Sequence, residues 1–143
     1  MKRVLVATHG YLANGFKSSV ELLTGKQDGL QVINAYVDES DYTRYLEEFI
    51  ESIGSDDEGV VFTDIFGGSV FQKVMIANPE VRGVHHITGF NLALLIEVLL
   101  TGDPLTHEKL SQMVLEARNA MQLMEPLESG VSSGIGESDD FFE

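Results

Sequence analysis

The chain has 143 residues, about the size of one ordinary domain, with 43% hydrophobic residues, no cysteine and a formal net charge of −14. The missing cysteine excludes disulfides, thiolate catalysis and Cys-based metal sites, and fits a reducing cytosol. The nine Lys and Arg residues are scattered without forming a patch, so an acidic surface argues against nucleic-acid binding.

Strand-like and helix-like segments alternate along the chain. Lys2-Arg3 precedes the short apolar run Val4 to Ala7, which Thr8-His9-Gly10 closes. A run this short reads as a first buried strand rather than a signal peptide, and no apolar run approaches the roughly 20 residues of a membrane span. Leu12, Phe16, Val20 and Leu23 recur at helical spacing, with Gly25 as C-cap. Gln31 to Val37 reads as the second strand. Asp41 caps a helix with the stripe Tyr42, Tyr45, Leu46, Phe49, Ile50 and Ile53. Gly59 to Thr63 is the third strand, closed by Asp64. Gly67-Gly68 leads into a helix carrying Val70, Phe71, Val74 and Met75. Val84 to Thr88 is the fourth strand. A short helix after Asn91 shows Leu92, Leu95, Ile96 and Leu99. The last helix is expected from about Thr106 to Met124, with Leu110, Met113, Val114, Ala117, Met121 and Met124 facing inward.

This alternation predicts an α/β domain: a doubly wound open sheet, mostly parallel, with strand order 2-1-3-4 and helices on both faces. The domain is expected over residues 1–128. Residues 129–143 form an acidic Ser/Gly-rich tail, read as either a frayed end or a short extra strand at the sheet edge.

Ligands of open α/β sheets bind beyond the carboxyl ends of the strands, where the strand order reverses. In the order 2-1-3-4 that point lies between strands one and three, which end in Thr8-His9-Gly10 and Thr63-Asp64. Topology alone therefore brings His9 and Asp64 together. A carboxylate that accepts Nδ1–H fixes the imidazole tautomer and leaves Nε2 as a nucleophile. A phosphoryl group on Nε2 would need donors for its oxygens. Gly67, Gly68 and Ser69 at a helix start would supply backbone N–H groups, a favourable dipole end and a hydroxyl. Gly10 would let backbone approach the ring closely.

His85 and His86 alternate across the fourth strand, so both are assigned structural roles, and His107 sits solvated in a first helical turn. No metal constellation emerges, and no cofactor is expected. There is no phosphate-binding Gly-x-x-x-x-Gly-Lys and no dinucleotide fingerprint after strand one. A flavin mononucleotide site would use a Ser/Thr-rich cradle that His-Gly-Tyr-Leu-Ala-Asn-Gly lacks, and a receiver domain would need acidic residues where Thr8 and His9 stand.

Three separated motifs carry a family resemblance. Val4-Leu5-Val6-Ala7-Thr8-His9-Gly10 resembles the opening of the mannose-family IIA domains of bacterial sugar phosphotransferase systems. Asp64-Ile65-Phe66-Gly67-Gly68-Ser69-Val70-Phe71 resembles their second signature, and Gly89-Phe90-Asn91-Leu92-Ala93-Leu94-Leu95-Ile96-Glu97 their third. The similarity runs from Met1 to Met124 in order and spacing. Two departures touch loop detail: Ile65-Phe66 stand where Thr and an aromatic are common, and Val70 replaces a common Pro.

The resemblance implies a cytoplasmic phosphotransferase with a phosphohistidine intermediate. His9 would take the phosphoryl group from the carrier HPr and pass it to a IIB subunit, with the membrane IIC and IID components involved indirectly. Asp64 would orient His9 and Ser69 would contact the phosphate. It also implies a homodimer, and gives Val131 to Ile135 a candidate role as a C-terminal edge strand exchanged between subunits. The chain ends at Glu143 without a fused IIB domain, so a separate IIB partner is expected. The alternative is the phosphotransfer subunit of a phosphoenolpyruvate-dependent dihydroxyacetone kinase. A non-catalytic regulatory module ranks last, because both His9 and Asp64 are present. The sugar cannot be read, since such domains touch proteins rather than sugar.

Overall fold

A computed structural model describes residues 1–127. Its four parallel strands are β1 (Lys2–His9), β2 (Leu30–Ala35), β3 (Glu58–Thr63) and β4 (Val84–Thr88), in the order β2-β1-β3-β4. The helices are α1 (Leu12–Thr24), α2 (Tyr42–Glu51), α3 (Ser69–Ala77), α4 (Leu92–Leu100) and α5 (His107–Asn119), and a 3-10 turn covers Pro79–Arg82. The expected α/β class and strand order hold. The expected tail at 129–143, with the candidate strand Val131 to Ile135, lies outside the described residues.

The central strands are buried on both faces, and their continuous Val/Leu runs follow from that. Val4, Val6, Val60, Phe62 and Ile87 face α1, α4 and α5. Leu5, Ala7, Val61 and Val84 face α2 and α3. Caps fix where helices begin. Asp41 accepts Thr43 N–H, Asn91 accepts Leu94 N–H at 2.9 Å, and Thr106 accepts Lys109 N–H. Asn91 also donates to the Ala117 carbonyl at 3.0 Å, so one side chain starts α4 and holds the last turn of α5.

Several boundaries and faces differ from expectation. β2 stops at Ala35 rather than Val37, because Tyr36 turns to φ 68° and leaves the extended region. α5 ends at Asn119 rather than Met124. Its buried face runs out at Met113 and Ala117, so Met121 and Met124 are exposed rather than inward. Pro126 further disfavours helix in the residue before it. On α1 the buried face is Ala13, Phe16 and Val20, while Leu12 and Leu23 are exposed. The small Ala13 lies against the core, and the larger leucines beside it are rotated outward. Tyr45 and Met75, members of the expected apolar stripes of α2 and α3, are also exposed.

Gly29 precedes β2 where its carbonyl accepts Val4 N–H at 2.8 Å. A Cβ there would lie 2.3 Å from the Lys2 carbonyl oxygen, a backbone atom that cannot yield cheaply. Gly29→Ala is therefore expected to lower the unfolding free energy by about 1–3 kcal/mol, as overpacking does. Urea denaturation would register this as a lower midpoint. Because Gly29 lies at the end of the sheet remote from His9, the His9 ring signals should stay in place; a midpoint equal to wild type would contradict the close approach.

Candidate functional site

The ends of β1, β2 and β3 converge on one imidazole. Parallel register pairs His9 with Ala35 and Ala7 with Thr63, so Tyr36 and Asp64 emerge on either side of His9. Asp64 Oδ2 accepts the His9 backbone N–H at 2.9 Å and lies 3.0 Å from His9 Nδ1, with Oδ1 3.2 Å from the same nitrogen. Oδ1 also accepts Ile65 N–H at 3.0 Å. The Asp64 side chain is only 8% exposed, against 36% for His9. Burial pushes the Asp64 pKa up, but the bonds from the His9 amide and ring, the His9 charge and a backbone N–H together hold it below the ordinary carboxylate value. An ionised carboxylate can only accept, so Nδ1 carries a proton, and in the neutral ring Nε2 presents its lone pair.

Nε2 looks toward the start of α3. Ser69, the first residue of that helix, places Oγ 3.1 Å from Nε2. A Cβ on Gly68 would meet the Ile65 carbonyl oxygen at a tight 3.2 Å and His9 Cε1 at an ordinary 3.5 Å, so the glycine eases the Ile65–Gly68 turn while the helix start lies close to the ring. Gln72 donates to the Gly67 carbonyl at 2.9 Å and steadies the loop from one turn inside the helix. The free N–H groups and dipole of a helix start favour an anion just where Nε2 points. Gly68, expected among the phosphate donors, has an engaged amide, its N–H bonding the Ile65 carbonyl at 3.0 Å, and the N–H of Gly10, placed with the phosphate-binding residues for its close approach, bonds the Ala35 carbonyl at 2.8 Å. Gly10 also has open space where a Cβ would stand. Its requirement is the φ of 61°, not close approach to the ring.

Sequence reasoning missed Tyr36 and Tyr42. The Tyr36 hydroxyl donates to Ser69 Oγ at 2.9 Å and lies 3.2 Å from the Tyr42 hydroxyl, and its ring centroid is 5.6 Å from that of His9. Hydrogen bonds with Ser69 and Tyr42 draw the Tyr36 pKa below its ordinary value, whereas burial and the bond to Tyr36 push that of Tyr42 well up. Tyr36 holds its left-handed φ of 68° at a cost of about 1–3 kcal/mol, a strain that clusters at functional sites. The available signal was positional: Tyr36 follows the strand paired with β1.

The other histidines sit apart from this cluster. His86 Nε2 lies 2.8 Å from Thr63 Oγ1, its ring is 5.3 Å from Phe71, and burial lowers its pKa. His85 and His107 line a separate cleft with Leu110 and Ser111. Among the described residues there is no group of three His, Asp or Glu residues that could hold a metal, and no helix long and apolar enough to cross a membrane. His9 lines neither the cleft of about 500 Å³ between β2 and α2 nor the one of about 530 Å³ beside α5. The residues that follow β1 and Asp64 in the chain, Tyr11, Leu12, Ile65 and Phe66, are exposed apolar side chains that form the rim of this end of the sheet. Such a rim suits contact with a macromolecule better than enclosure of a small ligand.

An open α/β sheet with an oriented, accessible imidazole before a helix N-terminus has the parts of a small group-transfer protein working on anionic groups. Comparison with known proteins narrows this. Residues 3–121 match the EIIA-man family, described as the PTS system fructose IIA component. A Klebsiella pneumoniae protein, described as a candidate phosphoenolpyruvate-dependent sugar phosphotransferase system permease, is 34% identical over 85% of this chain and 90% of its own, with a TM-score of 0.75. The mannose/sorbose-specific IIA subunit from Enterococcus faecalis shares the fold at 20% identity, covering 90% of this chain and 98% of its own, with a TM-score of 0.75. The EIIA component from Streptococcus agalactiae does so at 24% identity, over 87% and 97%, with a TM-score of 0.72. The chain belongs to the mannose-type IIA family and is a IIA-type phosphotransfer component of sugar phosphotransferase systems.

The depressed Asp64 pKa has a consequence for stability. A carboxyl whose folded pKa lies below its unfolded value of about 3.9 stabilises the fold above that value and ceases to as pH falls through the folded pKa. The urea-midpoint gap between wild type and Asp64→Asn should therefore be widest from neutrality down to about pH 4 and close below it. A gap independent of pH would show that the carboxylate charge contributes nothing.

Proposed function

We propose that His9 Nε2 is the phosphoryl acceptor, taking the group from phospho-HPr and passing it to a IIB subunit of the same system for sugar uptake and phosphorylation. The observation that carries this reading is the bracketing of one ring: Asp64 on Nδ1, Ser69 on Nε2. With Nδ1–H held by the carboxylate, the Nε2 lone pair attacks phosphorus in line with the donor's P–N bond. That bond breaks, and its electron pair returns to the donor nitrogen. The ring gains positive character as the new P–N bond forms, and the adjacent Asp64 carboxylate stabilises it. The reverse step delivers the group to the next histidine.

Each group has a stated part. Asp64 fixes the tautomer and balances ring charge. Ser69 and the start of α3 receive the phosphoryl oxygens through a hydroxyl, backbone N–H groups and the helix dipole. Gly67 and Gly68 shape the loop that brings them there. The exposed apolar rim supports protein partners, because a donor and acceptor that each carry a histidine must bring it to within bonding distance of Nε2. Repeated handling of one group by successive partners also suits an open site.

Incubation with labelled phosphoenolpyruvate and the general carriers tests the reading. Wild type should become labelled in an acid-labile, base-stable form, as a phosphoramidate does, and His9→Ala should take up none. Label retained by His9→Ala would refute the assignment. Asp64→Asn should stay folded yet gain phosphate roughly 10- to 100-fold more slowly, the worth of a charge-assisted hydrogen bond. Transfer at the wild-type rate would remove Asp64 from the chemistry.

A further inference from the structure

We infer that Tyr36 is a positioning residue for this transfer, acting on His9 through Ser69; the inference rests on the reading of His9 as phosphoryl acceptor. Tyr36 has a backbone conformation that glycine adopts freely and a bulky residue rarely does, with φ 68°. Its side chain is 59% exposed, so burial does not hold it there. What engages it is its hydroxyl, 2.9 Å from Ser69 Oγ and 3.2 Å from the hydroxyl of the buried Tyr42.

The direction of every proton in this chain follows from its far end. The Asp64 carboxylate takes Nδ1–H, so in the neutral ring, the form that can attack phosphorus, Nε2 accepts and Ser69 donates to it. The Ser69 oxygen then accepts from Tyr36, and the Tyr36 oxygen accepts from Tyr42. A hydroxyl that accepts a hydrogen bond becomes a better donor. Tyr36 thus occupies one Ser69 lone pair and favours the rotamer that keeps the Ser69 proton on the imidazole side.

As the phosphoryl group arrives, the Nε2 lone pair turns to phosphorus, and the Ser69 proton passes from Nε2 to a phosphoryl oxygen. No proton leaves Nδ1, no covalent O–H bond breaks, and the donor's P–N electrons return to the donor. Tyr36 keeps its bond to Ser69 throughout, so Ser69 needs no reorientation beyond a turn of its own O–H. Lacking that bond, Ser69 is free to donate elsewhere, for instance to water.

The test pairs nitrogen spectroscopy with a double-mutant cycle. In protein labelled with ¹⁵N, Ser69→Ala should move the His9 Nε2 resonance toward that of a non-bonded imidazole nitrogen. Tyr36→Phe, which keeps the ring, should move it the same way by less, and should add nothing in the Ser69→Ala background. Phosphate gain should slow roughly three- to tenfold in Tyr36→Phe, the worth of one hydrogen bond, with no further loss in the double variant. An Nε2 resonance unmoved by Tyr36→Phe would overturn the inference. So would equal slowing in both backgrounds, which would mean that Tyr36 acts on the partner and not through Ser69. Wild type that takes up no label would sink the reading of His9 and the inference with it; the nitrogen shifts, which need no transfer, separate that outcome from a failure of Tyr36 alone.

Discussion

One carboxylate joins the backbone of the fold to its chemistry. Asp64 Oδ2 accepts the His9 main-chain N–H at 2.9 Å and meets the ring Nδ1 of the same residue at 3.0 Å. The first contact ties the end of β1 to the end of β3, past the last rung of their ladder. The second sets which ring nitrogen is protonated. Because both fall on one carboxylate, the imidazole is referenced to the two central strands and not to a loop. The rigidity that a reacting atom needs is supplied by the sheet itself.

Much of this was legible from the sequence because it depends on period and order. Short Val/Leu runs alternating with helical stripes gave the parallel sheet, and the strand order then put His9 and Asp64 at the crevice without reference to any relative. Features set by tertiary fit were not legible. The helical stripe on α1 could be placed only to within one residue, and packing chose Ala13 over Leu12 for the core. The apolar period beyond Ala117 continues in the sequence, but no sheet lies beneath it, so Met121 and Met124 face outward. Tyr36 falls within the strand expected over Gln31 to Val37, where its β-propensity gives no sign of a turn. Its left-handed turn appears only where Gly10 N–H takes the Ala35 carbonyl and the chain must leave the sheet.

Stability and chemistry are kept apart along the strands. The fully buried layer runs from Val4 to Ala7 in β1 and from Val60 to Phe62 in β3. Beyond it the exposed groups begin, with only Thr8 and Thr63 as buried polar side chains between. Each of those threonines is satisfied locally. Thr8 Oγ1 accepts Ala13 N–H at 2.7 Å and so opens α1, while Thr63 Oγ1 meets His86 Nε2 at 2.8 Å. His86 is thereby accounted for as part of the framework. This separation lets the crest of the sheet carry strain at Tyr36 and an oriented imidazole while the core beneath contributes most of the fold's stability.

The donors gathered around Nε2 suit a carrier rather than a sink. The side chain hydrogen-bonded to it is a serine hydroxyl at the start of a helix, and neither the hydroxyl nor the helix start bears a full charge. An arginine fork would bind a phosphoryl group far more tightly, but tight binding of a ground state slows its departure. A group that must be received and given up with little loss of free energy is better served by partial charges and directed hydrogen bonds. The full charge in direct contact with the ring is negative and sits on Asp64 at Nδ1, where it favours a developing imidazolium from the side away from Nε2. For the transfer proposed above, an anion on Nδ1 and neutral donors at Nε2 would favour neither direction over the other, leaving the choice to the partner protein.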